Sequence, residues 1–170
     1  MDKLPLGFGM LCGGFFFLLT LIGGIILILY SEESKKKANA SQFWPNINGT
    51  ITVSEVRQSS STDDNGNTSY AYYPHVEYIY TLAGQSFTGK QIAFGGVQGF
   101  PSPGNAQAAI SKYPINAPVW VFYNPQNPAE AVLERTFSSA GKVARNIGIL
   151  LVVLSVLIAC PLIIGLFRNF

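Results

Sequence analysis

His75 is the only histidine of the chain and the first candidate for catalysis. A histidine general base needs a nucleophile within hydrogen-bond reach and a carboxylate that orients its ring. Glu77 and Ser86 are close in sequence, but on paired strands Ser86 would lie several rungs away from His75. A surface histidine at the end of a strand is therefore the favoured interpretation. The sequence predicts no catalytic residue, and an envelope enzyme that uses His75 and nearby hydroxyls is the alternative.

Metal and cofactor sites are not predicted either. A zinc site needs several clustered His or Cys ligands, and Cys12 and Cys160 both lie in the apolar ends of the chain. The stretch Asp63-Asp64-Asn65-Gly66 lacks the alternating ligands and the closing glutamate of a calcium loop. The glycine-rich residues 94–105 have neither a Gly-Lys-Ser/Thr ending nor the dinucleotide-binding spacing. We therefore expect no metal and no cofactor.

Two long apolar runs occupy the ends of the chain, which is 48% hydrophobic and only 12% charged. Residues 4–30 and 146–167 are uncharged, and each run is long enough to cross a ~30 Å hydrocarbon core. The first run exceeds the roughly 7–15 apolar residues of a signal peptide, so we expect an uncleaved anchor. The predicted domains are a first transmembrane helix in residues 1–31, a juxtamembrane linker at 32–49, a β-domain at 50–136 and a second transmembrane helix in 137–170.

Basic residues beside the two runs predict the orientation in the membrane. Five flank the middle domain and two flank the chain ends: Lys35, Lys36, Lys37, Lys142 and Arg145 against Lys3 and Arg168. Because Lys and Arg are enriched on the cytoplasmic side, we expect a cytoplasmic β-domain and both termini outside, in the cell (inner) membrane. Glycosylation sequons begin at Asn39, Asn48 and Asn67. They would matter only in a eukaryotic secretory pathway, and chance explains them in a domain rich in Asn, Ser and Thr.

Small residues at helical spacing mark one face of each predicted transmembrane helix. They are Gly9, Gly13, Thr20 and Gly24 on the first helix and Gly148, Ser155 and Ala159 on the second. Small residues let helix backbones approach closely in lipid, so these faces predict a hairpin of the two helices, a homodimer or docking on a larger membrane partner. Neither run contains Asp, Glu, Lys, Arg or His, which argues against a channel or pump formed by this chain alone.

The stretch HVEYIYTLAGQSFTGK, residues 75–90, predicts a β-hairpin. Apolar and polar side chains alternate before Ala83-Gly84, which supplies a two-residue turn. That turn sets the register and places an opposite-charge pair across the strands. The predicted partners are Leu82 with Gln85, Tyr80 with Phe87, and Glu77 with Lys90.

Further strands are predicted at 50–56, 119–123 and 131–134, and a helix at 106–113 with Asn105 as its N-cap. Residues 58–69 are interpreted as a mobile polar loop at the tip of a long hairpin, and 124–128 as a tight turn. Three strands, a short helix and two strands is the element order of an OB-type barrel. The predicted fold class is an α+β membrane protein, with two transmembrane helices flanking a small mainly-β domain that is either an OB-like barrel or a curved antiparallel sheet. We expect no nucleic-acid binding, because away from the membrane flanks the domain has four basic residues against six acidic ones.

Several short motifs in residues 50–135 resemble a family of bacterial two-span membrane proteins catalogued as domain of unknown function 3592. They are Tyr78 and Tyr80, Gly84-Gln85, Phe87-Thr88-Gly89, Tyr113-Pro114 to Pro118-Val119, and Tyr123-Asn124-Pro125-Gln126-Asn127-Pro128. The resemblance implies the architecture and a bacterial envelope setting. It implies no activity.

The function that these observations favour is a non-enzymatic, membrane-anchored β-domain that binds another membrane or membrane-surface protein. Its expected partners are the lipid bilayer and that protein, with a homo-oligomer as a further option. The candidate interaction residues are Tyr78, Tyr80, Phe87, Trp120 and Tyr123. A lipid or cell-wall ligand site among Tyr70, Tyr72, Tyr73 and Trp120 is an alternative.

Overall fold

The computed structural model describes residues 4–168, with side chains from Gly14 to Leu157 and at Ala159. The elements in chain order are α1 (Leu4–Ala40), a 3-10 turn (Ser41–Phe43), β1 (Asn46–Thr62), β2 (Thr68–Leu82), β3 (Gln85–Gly89), α2 (Pro103–Ile110), β4 (Pro118–Asn124), β5 (Asn127–Val132) and α3 (Ser139–Arg168). The predicted succession of three strands, a short helix and two strands is therefore confirmed.

The chain divides into two compact units. One unit is Ser34–Gly141, which contains the whole β-sheet and α2; we call it the β-unit. The other consists of the described parts of α1 before Ser34 and of α3 after Gly141. By length and composition, residues 14–43 and 139–157 include two helices apolar enough to cross a membrane.

All five strands form one antiparallel sheet in the order β3-β2-β1-β4-β5. The sheet is open, because its outer strands β3 and β5 are not hydrogen-bonded as strands. The segments that follow them are joined by hydrogen bonds such as that from Glu134 N–H to the Ile92 carbonyl at 2.7 Å. The OB-like barrel is therefore not confirmed, and the architecture is an open antiparallel sheet.

The β2–β3 hairpin has the register that its turn predicts. Leu82 pairs with Gln85, and Tyr80 pairs with Phe87. Ala83 and Gly84 have φ values of 49° and 83°, as a two-residue turn requires at both central positions. Ala83 accepts the left-handed conformation because the paired strands on either side hold the turn in place.

The β1–β2 hairpin is longer than the sequence indicates. Residues 58–62, predicted as loop, continue β1, and only residues 63–67 form the turn at the tip. Gly66 has a φ of 82° there, which agrees with the predicted Asn65-Gly66 turn. The run of serines gives a weak strand signal, and here pairing with the neighbouring strand supplies the ladder that the serines do not favour by themselves.

The short helix and the last strand differ from prediction in their bounds. The N-cap of α2 is Ser102, not Asn105: the Ser102 side chain accepts a hydrogen bond from the Asn105 N–H at 3.4 Å. Pro103 begins the helix because the first helical position needs no backbone donor. The helix consequently covers residues 103–110 rather than 106–113, and β5 covers 127–132 rather than 131–134.

Two apolar clusters lie on opposite faces of the sheet. The larger contains Ile51, Tyr78, Tyr80 and Val121, with Ile110 of α2 packed into it. The smaller joins Phe94 and Val132 to Ala38, with Trp44, Phe122 and Phe137 packed around them. Ala131 and Val132 are neighbours on β5 that point to opposite faces, and each belongs to a different cluster.

Candidate interaction surface

One face of the sheet presents a group of exposed, uncharged side chains, which we call the Trp120 face, bordered on the next rung by the Glu77–Lys90 ion pair. Cross-strand partners point to the same side of a sheet. Asn48 is paired with Trp120, Thr50 with both Pro118 and Ile79, and Ile79 with Thr88. All six side chains are exposed, with Trp120 at 56% and Ile79 at 40%. The Trp120 face comprises Asn48, Thr50, Ile79, Thr88, Pro118 and Trp120.

The candidate interaction residues divide between this face and the core. Tyr78 and Tyr80 are buried at 0% and 2% exposure. Phe87 is half-buried and stacks on Tyr80 at a centroid distance of 5.6 Å, and Tyr123 packs against the same cluster. Trp120 is the one of the five that is exposed.

The buried tyrosines hold the outer parts of the sheet together. The Tyr78 hydroxyl lies 3.0 Å from the Gln91 carbonyl and 2.8 Å from the Ala131 carbonyl, so it links β5 to the segment after β3. The Tyr80 hydroxyl donates to the Pro128 carbonyl. Burial raises the pKa of both tyrosines above the usual 10.0, so each hydroxyl keeps its proton and remains a donor.

The aromatic residues considered for a lipid or cell-wall site do not form one cluster. Tyr70 and Tyr73 lie an odd number of residues apart on β2 and point to opposite faces. The Tyr73 ring packs against the backbone of Gly99. Trp120 lies on β4, away from the long hairpin.

His75 belongs to a charge network on the surface of β2 and β3. Its Nε2 is 2.9 Å from Glu77 Oε1, and Lys90 Nζ is also 2.9 Å from that oxygen. The predicted Glu77–Lys90 pair is therefore present. Hydrogen bonds from Lys90 and then His75 lower the pKa of Glu77. The Ser86 hydroxyl lies 3.3 Å from the Thr81 hydroxyl, several rungs beyond His75.

The side chain of Asp63 organises the tip of the β1–β2 hairpin. Its Oδ1 accepts from the backbone N–H groups of Asn65 and Asn67 at 3.0 and 2.7 Å, and its Oδ2 accepts from the Asn67 side chain. The hydrogen bonds from Asn67 lower the pKa of Asp63, which keeps it ionised near neutral pH. Across the described part of the chain, no three His, Cys, Asp or Glu side chains are grouped so as to hold a metal ion.

The small residues predicted to pack the membrane helices come together at Gly24 and Gly148. A Cβ added to Gly24 would lie 2.8 Å from the Gly148 carbonyl oxygen, so the two backbones are in direct contact. On the same helices Ser155 is fully buried, and the Thr20 hydroxyl donates to the Phe16 carbonyl at 2.9 Å. Ala159 is half-buried. Gly9 and Gly13 lie outside the residues whose side-chain surroundings are described.

Sequence reasoning identified Trp120 but missed the face around it. The exposure of Ile79 could have been found, because the alternation along β2 places Ile79 opposite the buried Tyr78 and Tyr80. No partner strand for β4 is predicted from the sequence, so its pairing with β1 was the missing step. That pairing brings Trp120 and Pro118 beside Asn48 and Thr50, which are about 70 residues away in sequence.

A family model described as "Domain of unknown function (DUF3592)" matches residues 47–138. The match contains every strand and α2, except for the first residue of β1. The comparison with curated proteins gives no match.

Proposed function

We propose a function for this chain, which belongs to the family described as domain of unknown function (DUF3592). From that membership and the geometry above, we infer that it is a non-enzymatic, two-span membrane protein. Its β-unit binds another membrane or membrane-surface protein. The Trp120 face is the contact surface.

The observation that carries this proposal is the exposed indole of Trp120 among uncharged side chains, with the Glu77–Lys90 pair at their border. The centres of protein interfaces are depleted in charged residues and enriched in aromatic ones. Tryptophan is also among the residues that most often dominate binding energy. Ile79 and Pro118 extend the apolar area, while Asn48 and Thr50, on the strand between them, offer hydrogen-bonding groups.

The surroundings of His75 support a role without catalysis. Glu77 binds both His75 and Lys90, so this carboxylate belongs to a surface charge network. The nearest hydroxyl considered as a nucleophile, that of Ser86, pairs with Thr81 instead. Replacing His75 by Ala is therefore expected to change stability alone.

The test of the proposed contact is recovery of a partner from membranes. Full-length chain is purified in mild detergent as the wild type, as Trp120→Ala and as Tyr70→Ala, and co-purifying proteins are identified by mass spectrometry. Tyr70 is a matched control because it is 52% exposed but lies on the long hairpin, outside the Trp120 face. We expect a protein recovered with the wild type and with Tyr70→Ala that is lost with Trp120→Ala. Recovery of the chain without any other protein would refute the proposal.

The orientation in the membrane is part of the same proposal. Five basic residues flank the middle of the chain and two flank its ends, which supports a cytoplasmic β-unit and external termini in a bacterial inner membrane. A single cysteine at the exposed Asn65, in a variant without Cys12 and Cys160, tests it with a membrane-impermeant thiol reagent. We expect labelling only after the cells are broken. Labelling of intact cells would place the β-unit outside and overturn the orientation.

A further inference from the structure

The outer edge of β1 is unpaired over most of its length. β4 pairs only with Asn46–Thr50, so from Val53 to Thr62 the β-ladder of β1 has β2 as its one partner within the described chain. Residues 58–62, with the sequence Gln-Ser-Ser-Ser-Thr, are all exposed. They include neither the charged side chains nor the proline that usually protect a free strand edge from pairing with another strand.

Hydrogen bonds at the hairpin tip show which backbone groups this edge offers. The Asp63 N–H donates to the Asn67 carbonyl, so Asp63 and Asn67 bond to each other across the hairpin. In an antiparallel ladder, residue pairs that exchange backbone hydrogen bonds alternate with pairs whose N–H and C=O groups point away from the partner strand. Gln58, Ser60 and Thr62 therefore direct their N–H and C=O groups away from β2.

The opposite edge of the hairpin supports the same alternation. Tyr72, the partner of Gln58, exchanges two hydrogen bonds with Phe100 at 2.9 and 2.8 Å on the outer side of β2. The outward groups of β2 are thus occupied at this rung. The outward groups of Gln58 on β1 have no such partner in the described chain.

The free edge of β1 is complementary to itself. When two copies lie antiparallel with Ser60 on the two-fold axis, Ser60 faces Ser60 and Gln58 faces Thr62. All outward groups then meet one another, which gives about six backbone hydrogen bonds.

Charge selects this register from its neighbours. With Ser60 on the axis, Arg57 of each copy faces Asp63 of the other, an opposite-charge pair that occurs twice by symmetry. Centring the pairing on Ser59 would instead place Glu55 against Asp63, which is repulsive. Centring it on Ser61 would remove Asp63 from Arg57.

Both charged groups are accessible for this contact. Arg57 uses its Nε for Glu55 at 2.8 Å and is 58% exposed, which leaves its terminal N–H groups for a second carboxylate. Asp63 is exposed at the hairpin tip.

We propose that two copies of this chain associate through their β1 edges, antiparallel and centred on Ser60, to form one continuous sheet across a two-fold axis. The Trp120 face is not involved. The association therefore stands independently of the partner proposed above.

Cysteine cross-linking in isolated membranes, with an added thiol oxidant that accepts the two electrons, tests the register. In full-length chain without Cys12 and Cys160, Ser60→Cys places two thiols on the axis with Cα atoms about 5.5 Å apart, within the range of a disulfide. Ser59→Cys is the matched control, because Ser59 faces Ser61 and the two identical cysteines are out of reach. We expect a disulfide dimer with Ser60→Cys, little with Ser59→Cys alone, and a mixed dimer when Ser59→Cys and Ser61→Cys chains are co-expressed. Equal cross-linking at positions 59 and 60, or none at 60, would overturn the proposal.

A second variant tests the edge without cysteine. Ser60→Pro removes an outward N–H and leaves the hydrogen bonds between β1 and β2 intact, whereas Ser60→Ala keeps the outward donor. Light scattering of the purified chain in mild detergent is expected to give a dimer mass for the wild type and Ser60→Ala, and a monomer mass for Ser60→Pro. A monomeric wild type, or a dimer that persists in Ser60→Pro, would contradict pairing at this edge. Neither result would affect binding at Trp120.

Discussion

The hydroxyl of Tyr78 is expected to contribute substantially to the stability of the β-unit, and Tyr78→Phe measures that contribution. The hydroxyl has one hydrogen, which is shared between the carbonyls of Gln91 and Ala131 at 3.0 and 2.8 Å. Gln91 is exposed, so water replaces the lost donor there, whereas Ala131 is buried at 4% exposure. An unsatisfied buried acceptor costs about 1–3 kcal/mol. We therefore expect Tyr78→Phe to lower the free energy of unfolding by about 2 kcal/mol.

Tryptophan fluorescence provides the assay. The chain has two tryptophans, and both Trp44 and Trp120 lie in Ser34–Gly141, so their emission reports unfolding of the β-unit. If the free energy of unfolding falls by about 2 kcal/mol per 1 M urea, a loss of about 2 kcal/mol in that free energy lowers the urea midpoint by about 1 M. Full-length chain in mild detergent is used throughout.

Tyr70→Phe is the matched control for Tyr78→Phe. Tyr70 is half-exposed on the same strand, and its hydroxyl makes no hydrogen bond within the described chain. It should change stability by less than about 0.5 kcal/mol. Burial raises the pKa of Tyr78 above the 10.0 of the unfolded chain, so its stabilisation is complete well below pH 10 and the difference between the two variants should be the same at pH 7 and pH 8.5. Equal midpoints for Tyr78→Phe and Tyr70→Phe would refute the argument that this hydroxyl stabilises the outer parts of the sheet.

Three further predictions concern packing and pH. Gly89→Ala would place a Cβ inside the Tyr78 ring and should lower the urea midpoint. The control Gly104→Ala, which has open space around it in α2, should leave the midpoint unchanged or raise it slightly. Equal effects of the two substitutions would contradict this packing. Burial tends to raise the pKa of Glu134, but hydrogen bonds from Lys112 and Tyr113 together outweigh it and lower the pKa below 4.5. The ionised Glu134 side chain therefore stabilises the folded state above pH 4.5, and this stabilisation is lost as the pH falls through the lowered pKa. Glu134→Gln should reduce the free energy of unfolding at pH 7 and make it depend less on pH in the acid range. An unchanged slope of the free energy of unfolding against pH would count against this. Gly148→Leu should separate the helices at their contact with Gly24 and lower the aggregation temperature in detergent, while Gly23→Leu, with nothing within 4 Å, should not; equal temperatures would contradict the contact.

The features predicted correctly from the sequence are those that local chemistry determines. The register of the β2–β3 hairpin follows from a two-residue turn, and that register alone brings Glu77 to Lys90. The errors concern features that depend on distant partners. The length of β1 depends on pairing with β2 rather than on the propensity of its serines. The strand order, which places β4 beside β1, was not predicted, because no local pattern indicates it. The burial of Phe94 against Ala38 and Val132 joins three distant segments, which no local pattern indicates.

The motifs that carry the family resemblance explain the fold rather than a ligand. Gly84 takes the positive φ that the hairpin turn needs, and Gly89 leaves room for the Tyr78 ring on the facing strand. In the Tyr-x-Pro-x-Asn-Pro segment, the Asn124 side chain accepts from the Gln126 N–H at 3.0 Å and shapes the turn between β4 and β5. Each of these residues acts inside the domain, so two members of the family can share them and bind different partners. We propose that this chain takes its specificity from the free edge of β1 and from the Trp120 face, in which Thr88 and Pro118 belong to the motifs and the other four residues do not. Exchanging the exposed residues of the Trp120 face while keeping Tyr78, Gly84 and Gly89 should therefore change which protein is bound and change the free energy of unfolding by less than about 0.5 kcal/mol per substitution. Partner recovery and tryptophan fluorescence measure the two effects separately, and a loss of folding in such an exchange would show that fold and recognition are not separable here.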